Sequence, residues 1–276
     1  MLPIEPKILH SFISFDKDSK PEEYYITMKG SEHSADLLHP ELYKSQLKIE
    51  DIDATEYEMA FSRLSNNEKQ VIRRWTMTGE DEGFYSDGTP ALQRRGISPF
   101  NYELNRKLYN HEQLSNSEKK FVQSLSGALM KLPRVMGDFI RLDMYSTEPS
   151  NNPWINGAIE VGDIVTNAPA FMSVSDDWVY AKETIPISKT FENITVHAIY
   201  EFRQSKQFVP LFRGAASLTL AENEHLSPIN STFRVLGISY AKPVYENSHT
   251  TIRVGVTLED AVEQRSIKNI HTGELL

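Results

Sequence analysis

The sequence predicts an α+β fold with its helices first and its strands after them. Two observations carry this. Serine capping signals open helix-spaced apolar runs upstream of Pro133. After Pro133 the apolar period shortens to two, and strand candidates then follow one another toward the C-terminus. This segregation argues for an α+β arrangement and against alternating βαβ units.

The first helix opens at Ser65, in Ser-Asn-Asn-Glu, where Glu68 can reach back to the free N–H groups of the first turn. Val71, Ile72 and Trp75 follow at helical spacing, and the pattern fades into the loop segment TGEDEGFYSDGTP. Asn101 to Leu108 predicts a shorter second helix. Ser115 and Glu118 form another capping box, after which Phe121, Val122, Leu125, Ala128, Leu129 and Leu132 share one face up to Pro133. In FIRLDMY, Ile140, Leu142 and Met144 alternate with Phe139, Arg141 and Asp143, as a strand requires. Further strands are predicted over 163–165, 170–175, 195–202, 217–220, 222–226, 232–240 and 251–258. Residues 1–60 are polar and irregular; they read as an N-terminal extension packed on a domain formed by residues 61–276.

Composition narrows the function. At 276 residues the chain can bury a sizeable core, with 39% hydrophobic and 24% charged residues. No run approaches the ~18 apolar residues of a membrane-spanning helix, and no basic segment leads into an apolar run at the N-terminus, so neither a membrane span nor a cleavable signal peptide is expected. The net charge of -9 argues against nucleic acid as the main partner, while leaving room for a local basic pocket. The absence of cysteine excludes disulfides and thiolate chemistry. Of the eight histidines, His197 and His225 fall among the strands, but no His-Glu-x-x-His spacing exists and no metal site is predicted. No Gly-x-Gly-x-x-Gly or P-loop pattern occurs either, which disfavours a Rossmann-type dinucleotide site.

Three features could carry chemistry. Glu222 and Glu224, two apart at the start of a strand, project from one face. Paired carboxylates suit a sugar bond whose transition state is oxocarbenium-like, although two solvated glutamates on a strand edge would look the same. In Phe171-Met172-Ser173-Val174-Ser175, Ser173 and Ser175 share a strand face, where hydroxyls can orient a neighbouring carboxylate; an ordinary half-buried strand end is the plainer reading. Arg141 interrupts an apolar strand and could clamp a diphosphate, or could simply pair with Asp143.

Order and spacing add what the single features lack. The runs LSNNEKQVIRRWTMTG, NYELNRKL and LSGALMKLPRVMGDFIRLDMY, then GDIVTNAPAFMSVS, then AENEHLSPINSTFRV, resemble the exoenzyme-toxin branch of the bacterial mono-ADP-ribosyltransferases, of the arginine-serine-glutamate class with a Glu-x-Glu motif. The resemblance spans roughly residues 62 to 258. It implies an N-terminal helical part packed on two mainly antiparallel sheets that enclose an NAD cleft, with NAD as substrate.

By the same resemblance, Arg141 corresponds to the arginine that holds the NAD phosphates, and Ser173 to the serine that positions the catalytic glutamate. Glu224 corresponds to that glutamate and Glu222 to the residue that addresses the acceptor. Phe171 would support the nicotinamide pocket, and Ser173 and Ser175 count with Arg141 and Phe171 among the residues that bind NAD. The implied partner is a target protein of a host or competitor cell, modified on a side chain, arginine first; actin and small GTPases are family targets. The implied setting is a monomeric toxin or effector, secreted or injected, acting in the target cytosol. An NAD glycohydrolase, a transferase acting on nucleic acid or a small molecule, and a non-catalytic binding module on the same fold are the alternatives. The chain departs from the family pattern in several places. Val174 stands where threonine is usual, and Leu142 follows the arginine where glycine is frequent. The loop after the first helix is long, and the nearest aromatic before Glu222 is Phe212.

Overall fold

The computed structural model describes residues 27–31, 34, 37–38, 47, 53–76, 100–145, 149–177, 194–211, 224–241, 243–246, 249–262 and 266–276. The predicted strand over 217–220, Glu222, Asn223 and Phe212 lie outside them.

Among the described residues, four helices form one layer: α1 (Ala54–Ser62), α2 (Asn66–Trp75), α3 (Phe100–Tyr109) and α4 (Asn116–Leu129). Both predicted capping boxes are present. Ser65 and Ser115 each accept from the backbone N–H of the glutamate three residues on, and Glu68 and Glu118 bond back to the serine N–H. Their apolar stripes meet in one cluster that includes Ile72, Trp75, Leu104, Phe121, Leu125 and Leu129. Glu118 is also buried in this layer and pairs with Lys107 across α3 and α4 at 2.7 Å.

The strands among the described residues are β1 (Thr27–Gly30), β2 (Val135–Tyr145), β3 (Ile164–Thr166), β4 (Met172–Ser175), β5 (Ile194–Pro210), β6 (Glu224–Ser227), β7 (Thr232–Tyr240), β8 (Val244–Glu246), β9 (His249–Asp260) and β10 (Ile267–Asn269). Two separate sheets were expected; the described strands instead join one hydrogen-bonded sheet, in the order β10-β3-β7-β9-β5-β2-β4-β6, with β1 on β7 and β8 on β9. It is mixed, since β5–β9 and β10–β3 are parallel.

The reason lies in β5, which is 17 residues long and serves three partners. It runs parallel to β9 from Ile194 to Arg203 and antiparallel to β2, and its end at Val209 and Pro210 pairs with β6. Since β2 also pairs with β4, and β4 with β6, these four strands close on themselves. The bend occurs at Gln204, whose φ of 47° is left-handed and whose N–H is held by Asp138 at 2.9 Å, opposite register shifts at Gly137. Such bulges sharpen twist and let a sheet curl. Strand periodicity reports which face each residue occupies but not this curl.

A second apolar cluster, with Phe139, Phe202, Phe208, Phe233, Val254 and Val256, fills the sheet side. Phe171, Leu226 and Val209 belong instead to the helical cluster, so β4 and β6 lie where the two cores meet. On the far side, Ser31 and Ser34 lie close over β7 and β9 because Gly237 and Gly255 have no side chain there. Ser34 Oγ and Ser239 Oγ are 2.6 Å apart beneath this contact. A Cβ at position 255 would meet the Ser34 carbonyl oxygen at 2.1 Å. Gly255→Ala is therefore expected to destabilise the protein by about 2 kcal/mol, read as a lower midpoint of urea unfolding with an unchanged slope.

Candidate active site

The antiparallel register of β4 and β6 sets Ser175 opposite Glu224 and Ser173 opposite Leu226. With a side-chain period of two, all four residues share the face toward the helices. Ser173 Oγ donates to Glu224 Oε1 at 2.6 Å. The same oxygen accepts from Trp75 Nε1 at 3.2 Å, from the last residue of α2. Trp75 is buried, and its ring meets Phe171 edge to face at 5.0 Å.

Phe171 is fully buried and held by its backbone. Asn105 of α3 accepts from its N–H and donates to its carbonyl, which also accepts from Asn167 Nδ2 at 2.6 Å. The residue entering β4 is thus tied to the helical layer, with its ring forming a rear wall behind the carboxylate. Ser175 is also buried. Its hydroxyl accepts from the Asp177 N–H at 3.0 Å and closes the turn that follows β4.

Arg141 lies on the face of β2 that carries Phe139, Asp143 and Tyr145. One guanidinium nitrogen donates to the Ser173 carbonyl at 2.8 Å, and another pairs with Asp143 at 2.6 Å. The arginine therefore pairs with Asp143 and also braces the strand that carries Ser173. Burial works against its charge, but Asp143 beside it holds its pKa above the ordinary value. The guanidinium is 20% exposed and the Asp143 carboxylate 12% exposed, so the pair sits at the rim of the site.

Beyond Asp143 a directed chain of hydrogen bonds crosses the sheet. Trp154 Nε1 donates to Tyr200 Oη at 2.9 Å, and Tyr200 and Tyr145 share a hydroxyl contact at 2.8 Å. Tyr145 Oη lies 3.0 Å from His271 Nδ1, and His271 Nε2 lies 2.7 Å from Asn167 Oδ1, which also accepts from Tyr109 Oη. An amide oxygen can only accept, so Nε2 carries the proton and Nδ1 accepts from Tyr145. Burial lowers the His271 pKa to about 4 against the pull of Asp143. Burial likewise raises Tyr109 to about 12 and lifts Tyr145 and Tyr200 above the ordinary phenol value, so all three hydroxyls keep their protons. The chain ends at Asn167, whose amide holds Phe171.

Phe171, just before β4, and Ser173 within it are thus brought to Glu224, and Arg141 joins them through the Ser173 backbone carbonyl. Trp75, Asn105, Tyr109, Asn167 and His271 escaped the sequence reading. Trp75 fits the apolar stripe of a helix, and the other four belong to no spacing pattern. Among the described residues no group of three or more His, Asp or Glu could hold a metal ion.

No protein-family model and no curated protein sequence matches the chain. Solved structures do. Vis toxin, an ADP-ribosyltransferase from Vibrio splendidus, superposes with a TM-score of 0.50 at 17% identity, over 90% of this chain and 96% of that one. The same enzyme in complex with the M6 inhibitor gives 0.53 at 18% identity and the same coverage. This chain has the fold of an ADP-ribosyltransferase. At such low identity the likeness speaks for backbone architecture alone.

The His271 environment makes a stability prediction. Unfolded, the imidazole titrates near 6.5; folded, near 4. Between these values the unfolded chain binds more protons, so the stabilisation is complete above about pH 6.5 and is lost as pH falls toward 4. His271→Gln is expected to flatten the stability decline between pH 7 and 4.5 by about 2 kcal/mol, measured by urea unfolding at both values.

Proposed function

We propose that the chain is a mono-ADP-ribosyltransferase that cleaves NAD at its nicotinamide bond and moves ADP-ribose to a side chain of a target protein. The observation that carries this reading is the 2.6 Å contact from Ser173 to Glu224, beside an arginine that holds the backbone of the same strand. A carboxylate fixed this way cannot swing away from a cationic ribose, and a permanent cation one strand over suits the diphosphate of NAD.

In this mechanism the bond between the anomeric carbon and the nicotinamide nitrogen breaks, and its electron pair leaves with nicotinamide. Glu224 meets the ribose 2'-hydroxyl and stabilises the oxocarbenium ion. Phe171 backs the nicotinamide end, Ser173 orients Glu224, and Ser175 steadies the chain leaving β4 beside the NAD. The acceptor nitrogen then attacks the anomeric carbon and gives its proton to Glu222 or to solvent. Glu at position 222 favours arginine as acceptor, and a protein of a host or competitor cell, such as actin or a small GTPase, is the proposed target. The catalytic unit is taken as residues 61–276, with residues 1–60 as an extension that packs on it through β1, which pairs with β7, and through α1, which runs across the boundary, in a monomer that reaches the target cytosol by secretion or injection.

The test is incubation with biotin-labelled NAD and a cell lysate. Wild type is expected to label protein bands. Glu224→Ala should lose NAD cleavage by at least about 100-fold, and Glu222→Ala should lose transfer much more than hydrolysis. Arg141→Lys should raise the NAD KM about tenfold, because a point charge replaces a forked donor. Nicotinamide release without labelled protein would identify a glycohydrolase, and no NAD turnover at all would leave a binding module. Equal loss of both activities in the two glutamate variants would contradict the division of labour.

A further inference from the structure

The geometry points to Trp75 as a positioning residue for Glu224: an indole N–H supplied by the helical layer that, with Ser173, sets the plane of the carboxylate. This rests on the reading of Glu224 as the group that meets the NAD ribose.

The terminal torsion of a glutamate is broad and weakly restrained. A single donor fixes the distance of one oxygen but leaves the carboxylate plane to rotate about that contact. Here two donors reach the same oxygen, Ser173 Oγ at 2.6 Å from the neighbouring strand and Trp75 Nε1 at 3.2 Å from α2. They arrive from different layers of the fold, so together they restrict rotation that either alone would allow.

The indole is itself immobilised. It is 1% exposed, and it packs edge to face on Phe171, which Asn105 and Asn167 hold by the backbone. Its helix is closed at the start by the Ser65–Glu68 box and at the end by Thr76, whose N–H bonds the Ile72 carbonyl at 3.2 Å. Lys131 pairs with Glu68 at 2.5 Å and ties the start of α2 to the end of the α4 segment. Preorganisation of this kind matters most where charge develops during reaction.

The competing account is that Trp75 is a core residue whose buried N–H merely needs some acceptor. That account predicts lost stability with turnover unchanged. Positioning predicts lost turnover with NAD binding unchanged, because the carboxylate orientation counts most in the transition state.

Trp75→Phe keeps a ring on Phe171 and removes the N–H. Its kcat for NAD cleavage is expected to fall about tenfold, the lower range for a hydrogen bond to a charged group, with KM within about twofold of wild type. In a Glu224→Ala background the same substitution should change the residual rate by less than about twofold, since the group it positions is gone. A second measurement avoids the question of folding. The chain has three tryptophans, so nitrogen-15 tryptophan labelling of the wild type gives three indole signals, and one should move upfield in Glu224→Ala. A tenfold fall confined to kcat, or a single indole signal answering to Glu224, supports the proposal. An unchanged kcat in folded Trp75→Phe, an equal fall with and without Glu224, or indole signals all indifferent to Glu224 would overturn it. Wild type that cleaves no NAD would overturn the function reading and this one with it; active wild type, inactive Glu224→Ala and fully active Trp75→Phe would overturn this one alone.

Discussion

The short antiparallel pairing of β4 with β6 sets almost everything at the site. Ser173 opposes Leu226 and Ser175 opposes Glu224, so Ser173, Ser175 and Glu224 share one face, while Met172 and Val174 fill the sheet core on the other. A slip of one residue would turn Glu224 into that apolar core and His225 toward the helices. Burial on both faces prevents this. Leu226 and Phe171 are locked into the helical cluster while Met172 and Val174 are locked into the sheet cluster. The register is therefore specified by hydrophobic contacts, and the polar geometry follows from it.

The charges at the rim balance each other. A guanidinium as enclosed as that of Arg141 would cost several kcal/mol if left alone. Asp143 offsets much of that cost, and the Ser173 carbonyl takes a further N–H. The same contact pins β4 to β2 at the one place where those strands meet, Ile140 opposite Ser175. Arg141 thus has a structural duty whether or not a phosphate is present, and a ligand phosphate would have to share the cation with Asp143. Behind this pair, the neutral His271 and three protonated tyrosines supply hydrogen bonds without adding charge.

The helical layer does more than cover the sheet. Trp75, Asn105 and Tyr109 each reach across it, to Glu224, to the Phe171 backbone and to Asn167 respectively. Helices built on capping boxes and apolar stripes are rigid enough to hold such contacts within tenths of an ångström. The segment at Ser31 and Ser34 meets the sheet on another side, where glycines allow close approach.

Much of this was written locally. Capping boxes at Ser65 and Ser115, the helical stripe from Phe121 to Leu132 and the alternation through β2 depend on neighbours in sequence, and period and propensity report them. The same alternation puts Ser173 and Ser175 on one face and Arg141 beside Asp143. Closure of β2, β4, β5 and β6 into one curled sheet was not legible, because it depends on a left-handed Gln204 held by Asp138 and on strand pairings that no periodicity encodes. Trp75 looked like core and is core; that its N–H ends on Glu224, 149 residues away, was decided only when two hydrophobic clusters packed together. His271 had no pattern around it and acquired its neutral state from burial beside Tyr145 and Asn167. Sequence determines which face a side chain takes, because that is set by the backbone period; which partner it meets there is set by long-range packing, and only the tertiary structure decides it.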